Sequence, residues 1–365
     1  DDSLMKQNWL DALADKPKQG ANVEVTIDPA LQQAAYDQLV GPGYEGSAVA
    51  IQPSTGKILA MASNPGYNPN DLMGDSAEET WANLQEQEGQ PLVNHAGAET
   101  LPPGSIFKII TTAAGLNNGF DPSSTLTGSN VITLPDTVTE LTNYANQKCN
   151  GQDAVTLQTA FALSCNTAFV EMSEQLGADE LRKYAKAFGV GENYDLGVST
   201  SAGTLGDLPD GAATAQSAIG QRDVTMTALQ AAVMAGTVAN KGTRMQPYLV
   251  NRITDAQMKD VRTTKPKKAD QAVNEETAAT LTDLMYASER SSWGYDGNGF
   301  ASKTGTAEHG EGLAPHVWYV AFDPERDIAV GVVVKNGGNL GESATGGKVS
   351  GPIGRAILRA YQGEQ

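Results

Sequence analysis

The sequence predicts a mixed α/β (α+β) fold, with one sheet built from both ends of the chain and a helical region inserted between them. Three observations predict it. Near the start, Ser47 to Gln52 and Lys57 to Ser63 read as two strands joined by a tight turn, a hairpin. Near the end, F-A-S-K-T-G-T-A, H-V-W-Y-V-A-F and D-I-A-V-G-V-V-V-K-N read as three more strands, and the short D-P-E-R-D link makes the last two antiparallel. Between Ser105 and about Gly242 the pattern is mostly helical.

The elements follow in order. Residues 1 to about 20 are polar and read as a short helix or lead-in. A strand is expected at Val23 to Ile27, then a helix from Pro29 to about Leu39 with Asp28 as N-cap. N-P-G-Y-N-P-N-D is a turn-rich loop, and a longer polar stretch leads to Leu101. T-L-Q-T-A-F-A-L-S-C-N-T-A-F-V-E-M-S-E-Q-L-G is long and apolar, broken at S-C-N. A-D-E-L-R-K-Y-A-K-A-F-G is amphipathic and stops at Gly189, and V-T-M-T-A-L-Q-A-A-V-M-A-G-T-V-A-N is another helix. Helices are also expected at Glu275 to Glu289 and from about Gly351 to Tyr361.

The 365 residues, 40% hydrophobic and 19% charged, suit a globular protein of one large or two modest domains. A net charge of −18 repels phosphate backbones and argues against nucleic acid as a partner. Lys16, Lys18 and T-K-P-K-K are small basic islands in loops. No apolar run reaches the roughly 18 residues of a membrane span. No signal peptide opens the chain, and D-D-S-L-M-K reads as a cut product of a longer, anchored protein. Cys149 and Cys165 are either two buried thiols or a bridge closing a loop of about seventeen residues, worth roughly 3 kcal/mol. His95, His309 and His316 form no metal-binding pattern, so neither metal nor cofactor is expected.

Three short strings carry the chemistry. In L-P-P-G-S-I-F-K-I-I, Ser105 and Lys108 stand one turn apart at the start of an apolar helix. The same Ser-x-x-Lys spacing occurs at Ser3–Lys6, in a polar segment, and at Ser54–Lys57, in the hairpin turn; neither opens a buried helix. S-C-N, Ser164 to Asn166, falls at the break between two helices, and K-T-G, Lys303 to Gly305, lies on a strand. Taken singly, each has a plain structural reading: a helix cap, a turn, an exposed strand lysine.

Together, in this order, they resemble the transpeptidase domain of the penicillin-binding proteins, serine acyltransferases that cross-link peptidoglycan. A-V-A-I-Q-P-S-T-G-K-I-L-A-M-A-S-N-P-G-Y-N-P-N, S-A-I-G-Q-R-D-V-T-M-T-A-L-Q-A-A, K-T-G-T-A-E, W-Y-V-A-F-D-P and V-V-V-K-N-G-G extend the resemblance from about Val23 to the C-terminus. The chain is most similar to the class B, monofunctional branch, of the actinobacterial penicillin-binding protein A type. The resemblance implies a penicillin-binding transpeptidase, serine β-lactamase-like fold with a central antiparallel five-stranded sheet. It implies a transpeptidase domain over residues 22–365 with a helical subdomain at about 105–242, residues 1–21 being a linker or remnant.

The resemblance also implies roles. Ser105 is the nucleophile and Lys108 its base, kept neutral by burial and by Lys303 as a second cation, so that two lysines converge on the Ser105 hydroxyl. Ser164 relays a proton, and Asn166 holds Lys108 and a substrate carbonyl. Lys303, Thr304 and Thr306 take the substrate carboxylate, and Gly305 lets substrate backbone approach. The backbone N–H groups of Ser105 and Thr306 form the oxyanion hole. The expected partners are peptidoglycan stem peptides, β-lactam antibiotics and membrane-associated cell-wall synthesis proteins, at the extracytoplasmic face of the membrane. That setting favours the Cys149–Cys165 bridge. Two further readings stand beside transpeptidation: a carboxypeptidase or β-lactamase on the same scaffold, and a non-catalytic β-lactam sensor or scaffold in a cell-wall complex. A β-lactamase of class A needs a glutamate after S-x-N, and Glu192 is the only one between residues 191 and 217.

Overall fold

The computed structural model describes residues 20–310 and 312–363. The lead-in over residues 1–19 lies outside them. Strand β1 (Asn22–Val25) leads to helix α1 (Pro29–Val40), where Asp28 accepts a hydrogen bond from Leu31 N as an N-cap should. The hairpin strands are β2 (Gly46–Ile51) and β3 (Ile58–Asn64). The polar stretch beyond them is not all loop. It holds helix α2 (Ala77–Glu86), which buries none of its residues, and a short α3 (His95–Ala98). A helix without a buried face leaves no apolar period to read.

The middle is helical only in part. After α4 (Lys108–Leu116), residues 125–156 form two small antiparallel pairs: β4 (Thr125–Thr127) with β7 (Ala154–Thr156), and β5 (Val131–Thr133) with β6 (Glu140–Thr142). This corrects the expected helical character there; three-residue strands are too short for alternation to register. Helices α5 (Leu157–Leu163) and α6 (Asn166–Ala187) flank the S-C-N break. The expected second helix is the far half of α6, set off by a kink at Gly177. Next come α7 (Gly211–Ala218) and α8 (Ala228–Ala239). Four short strands, unforeseen, follow: β8 (Thr243–Met245), β9 (Val250–Thr254), β10 (Asp260–Thr263) and β11 (Lys268–Gln271), making the small sheets β1–β9–β10 and β8–β11.

Helix α9 (Glu275–Ser291), strands β12 (Ala301–Ala307), β13 (His316–Asp323) and β14 (Ile328–Val334), and helix α10 (Ser350–Ala360) complete the chain. The central sheet runs β12–β13–β14–β2–β3, antiparallel throughout, so the two chain ends do share one sheet. Strands β13 and β14 are buried on both faces, which explains their unbroken apolar runs. One face, with Trp318, Val320 and Phe322, packs into a core with α4, α5 and α8. The other, with Val317, Tyr319 and Ala321, packs on α1 and α10. β12 is an edge strand, and the candidate site lies against it.

Candidate active site

Ser105 sits in a single 3₁₀ turn, Gly104–Phe107, rather than as the cap of an α-helix. Side chains three apart eclipse in such a turn, which puts Ser105 and Lys108 on one face. The loop before it is fixed on two sides. Leu101 and Met226 exchange backbone hydrogen bonds of 3.0 and 2.9 Å, and Trp318 Nε1 donates to Pro102 O at 2.8 Å. Gly305 has no room for a side chain, because a Cβ there would lie 2.8 Å from Pro103 O. The nucleophile's own loop therefore makes a close approach at Gly305. A Cβ on Gly104 would likewise lie 2.7 Å from Thr306 O, so the backbones beside Ser105 and Thr306 run in contact.

The two lysines come together, but on a different hydroxyl from the one expected. Lys303 Nζ donates to Ser164 Oγ at 2.9 Å, and Lys108 Nζ reaches the same oxygen at 3.3 Å. Lys108 also donates to Ser164 O and Asn166 Oδ1, both at 2.8 Å. Its hydrogen bonds thus go to Ser164 and Asn166, none to Ser105. The reason is local geometry: Ser164 ends α5 in the left-handed region, φ 61°, ψ 40°, which gathers its carbonyl and hydroxyl around the ammonium. Asn166 is committed at both ends, since its Nδ2 donates to Thr142 O at 3.1 Å.

Both ammonium groups are wholly buried, and each lies near an aromatic ring. Lys108 Nζ is 5.2 Å from the Phe169 centroid and Lys303 Nζ 5.7 Å from that of Phe161. Burial lowers the Lys108 pKa well below the usual lysine range, and the charge of Lys303 pushes the same way. Burial also lowers Lys303, to about 7. The result is one lysine able to accept a proton and one poised between charged and neutral. The phenylalanines read in the sequence as ordinary core; only their spacing from S-C-N, three before and three after Ser164 and Asn166, could have flagged them.

Strand alternation puts Lys303 and Gly305 on one face of β12 and Thr304 and Thr306, both half-buried, on the other. The lysine and the two hydroxyls therefore flank the open edge from opposite sides rather than forming one cluster. Cys149 and Cys165 form a disulfide with Cα atoms 5.7 Å apart, which ties the segment after β6 to the S-C-N turn. Glu192 is held by Arg244 through contacts of 2.6 and 2.7 Å, so its carboxylate is already engaged.

Residues 46–359 match the family described as "Penicillin binding protein transpeptidase domain". The peptidoglycan D,D-transpeptidase PbpA of Mycolicibacterium smegmatis is 43% identical, the match covering 99% of this chain and 76% of that protein. PbpA of Mycobacterium tuberculosis is 41% identical over 100% of this chain and 77% of its own length. Among solved structures, penicillin-binding protein A of M. tuberculosis as its ceftriaxone acyl-enzyme superposes with a TM-score of 0.93 at 40% identity, covering 99% of this chain and 84% of that one. Its penicillin G acyl-enzyme superposes with a TM-score of 0.92 at 40% identity, covering 99% and 85%. The chain belongs to the penicillin-binding protein transpeptidase family, in its class B branch of the PbpA type.

Proposed function

We propose that this protein is a peptidoglycan D,D-transpeptidase in which Ser105 is the nucleophile and Lys108 the base. Ser105 Oγ bonds to the carbonyl carbon between two D-alanines while neutral Lys108 takes its proton. The C–N bond then breaks, and the terminal D-alanine leaves as an amine carrying a proton delivered through Ser164. An amine of a neighbouring stem attacks the acyl-enzyme, gives up its proton along the same path, and Ser105 is restored. The backbone N–H groups of Ser105 and Thr306 receive the oxyanion; losing one such donor costs about 3 to 4 kcal/mol. Lys303 from one side of the β12 edge, with Thr304 and Thr306 from the other, takes the terminal carboxylate. Asn166 holds Lys108 and, with its second N–H, a substrate carbonyl.

The observation that carries this reading is the meeting of two wholly buried lysines, Lys108 and Lys303, on Ser164 Oγ, at 3.3 and 2.9 Å. β-Lactams follow the same first step and acylate the enzyme. We take residues 22–365 as one catalytic domain with the insertion at about 105–242, supported by the family match over 46–359 and the sheet drawn from both chain ends. It works at the extracytoplasmic face, held there by a membrane anchor and beside membrane-associated partners. The test is intact mass after penicillin treatment. A covalent increment mapping to Ser105, absent in Ser105→Ala, is the expected result; an increment that persists in the variant overturns the assignment.

A further inference from the structure

Behind β12, on the face turned away from Lys303, lies a buried carboxylate that the reaction as described does not use. The Glu289 side chain is 1% exposed and accepts four hydrogen bonds from four different elements. Arg355 Nε of α10 donates at 2.7 Å, Asn298 Nδ2 of the loop before β12 at 3.0 Å, and Tyr319 OH of β13 at 2.9 Å. Ser302 Oγ of β12 is the fourth donor. Ser302 directly precedes Lys303, and Tyr319 stands opposite Thr304 in the sheet register. Glu289 itself lies in the last turn of α9, a helix packed against both β12 and α5, whose C-cap is Ser164.

An edge strand is held by backbone hydrogen bonds on one side only. β12 must keep its other edge open if substrate is to lie there, so its position has to be fixed from a face. We infer that Glu289 is a positioning residue: through Ser302 and Tyr319 its carboxylate holds β12 from behind, and so sets Lys303 Nζ against Ser164 Oγ. The inference rests on the reading of Lys303 and Ser164 as catalytic groups. Alternation makes the coupling direct, because neighbouring residues of a strand share one peptide unit and point to opposite faces. A misplacement of about 1 Å in such a site can cost on the order of a hundredfold in rate.

A buried Glu–Arg pair could serve stability alone, and the test separates the two roles. Ser302→Ala removes the carboxylate's grip on β12 and leaves the Glu289–Arg355 pair intact. Ser302→Thr keeps the hydroxyl. Glu289→Gln keeps the shape and removes the charge. Each is followed with a fluorescent penicillin, reading both the fraction of molecules that react and the rate constant of those that do, with peptide mapping of the adduct. A fold defect lowers the fraction; a positioning defect lowers the rate constant. The expected result for Ser302→Ala is a rate constant roughly tenfold lower, about 1.4 kcal/mol, at an unchanged reactive fraction. Ser302→Thr recovers most of it, and Glu289→Gln loses at least as much. A wild-type rate constant in Ser302→Ala, or a Glu289→Gln loss confined to the reactive fraction, overturns the inference. The nucleophile assignment is judged separately by where the adduct maps, which Ser302 does not alter.

Discussion

Replacing Ser164 by alanine tests the centre of the site. The substitution removes one oxygen and keeps the backbone, including Ser164 O, which accepts from Lys108 at 2.8 Å. Alanine adopts the left-handed φ of 61° no more readily than serine does, so backbone strain is unchanged. Lys108 keeps two acceptors at 2.8 Å, whereas Lys303 is left with Thr304 O at 3.0 Å, though it is fully buried. Two contacts are lost, the 2.9 Å bond from Lys303 and the longer 3.3 Å one from Lys108; a hydrogen bond to a charged group is worth about 1.5–3 kcal/mol, so stability falls by a few kcal/mol at most. The effect on rate is larger, because the proton no longer has a carrier to the leaving amine, a contribution of about 10²–10⁴. The expected outcome is penicillin acylation slowed about a thousandfold, or ~4 kcal/mol, with a modest drop in melting temperature. Stopped-flow acylation with intact mass at the endpoint measures it. Acylation within threefold of wild type in a folded variant would refute the relay and leave Lys108 to act alone.

The second-order acylation constant should rise with pH as Lys108 loses its proton, then fall near pH 7 as Lys303 loses its charge, with Lys303→Arg carrying the falling limb to higher pH. At saturating penicillin the falling limb should stand higher than at limiting penicillin; coincident profiles would count against carboxylate binding by Lys303. Gly220→Ala places a Cβ 2.1 Å from Gly104 O at a φ of +75°, so a loss of at least about 2 kcal/mol in chemical denaturation and slower acylation are expected. Unfolded, unreduced protein should titrate no free thiol, and reduction should lower stability by roughly 3 kcal/mol; two titratable thiols would disprove the bridge.

The sheet was legible because β13 and β14 are buried on both faces and their runs are unbroken, while β2 and β3 are joined by an obvious turn. Helix α2 was not, because it buries nothing, and the pairs between residues 125 and 156 were too short to show a period. In the site, the three strings were readable through family resemblance, yet the resemblance misplaced their meeting point. The left-handed turn at Ser164 draws both lysines to it, and no spacing rule reports a φ angle. Glu289 was invisible for a related reason. In Y-A-S-E-R-S at a helix end it reads as a solvated glutamate, and only the packing of α9, α10 and β12 around it makes it a buried acceptor of four hydrogen bonds.

Two wholly buried lysines near one oxygen would be a liability if both stayed charged, since each ammonium loses several kcal/mol of hydration and repels the other. The site lowers that cost by letting the pair hold less than two charges, and substrate then decides where the charge sits. A carboxylate arriving at the β12 edge places a negative charge beside Lys303 and raises its hold on a proton. A charged Lys303 in turn pushes the Lys108 pKa further down, which keeps the base neutral when the nucleophile needs it. Binding and activation are thus two readings of the same Coulomb interaction, and the separation of the falling limbs at limiting and saturating penicillin measures its size. The Coulomb interaction weakens only as 1/r, but the 2.9 Å hydrogen bond that puts Lys303 on Ser164 Oγ is kept only while β12 holds Lys303 in place. That is why the anchor behind the strand belongs to the chemistry in front of it.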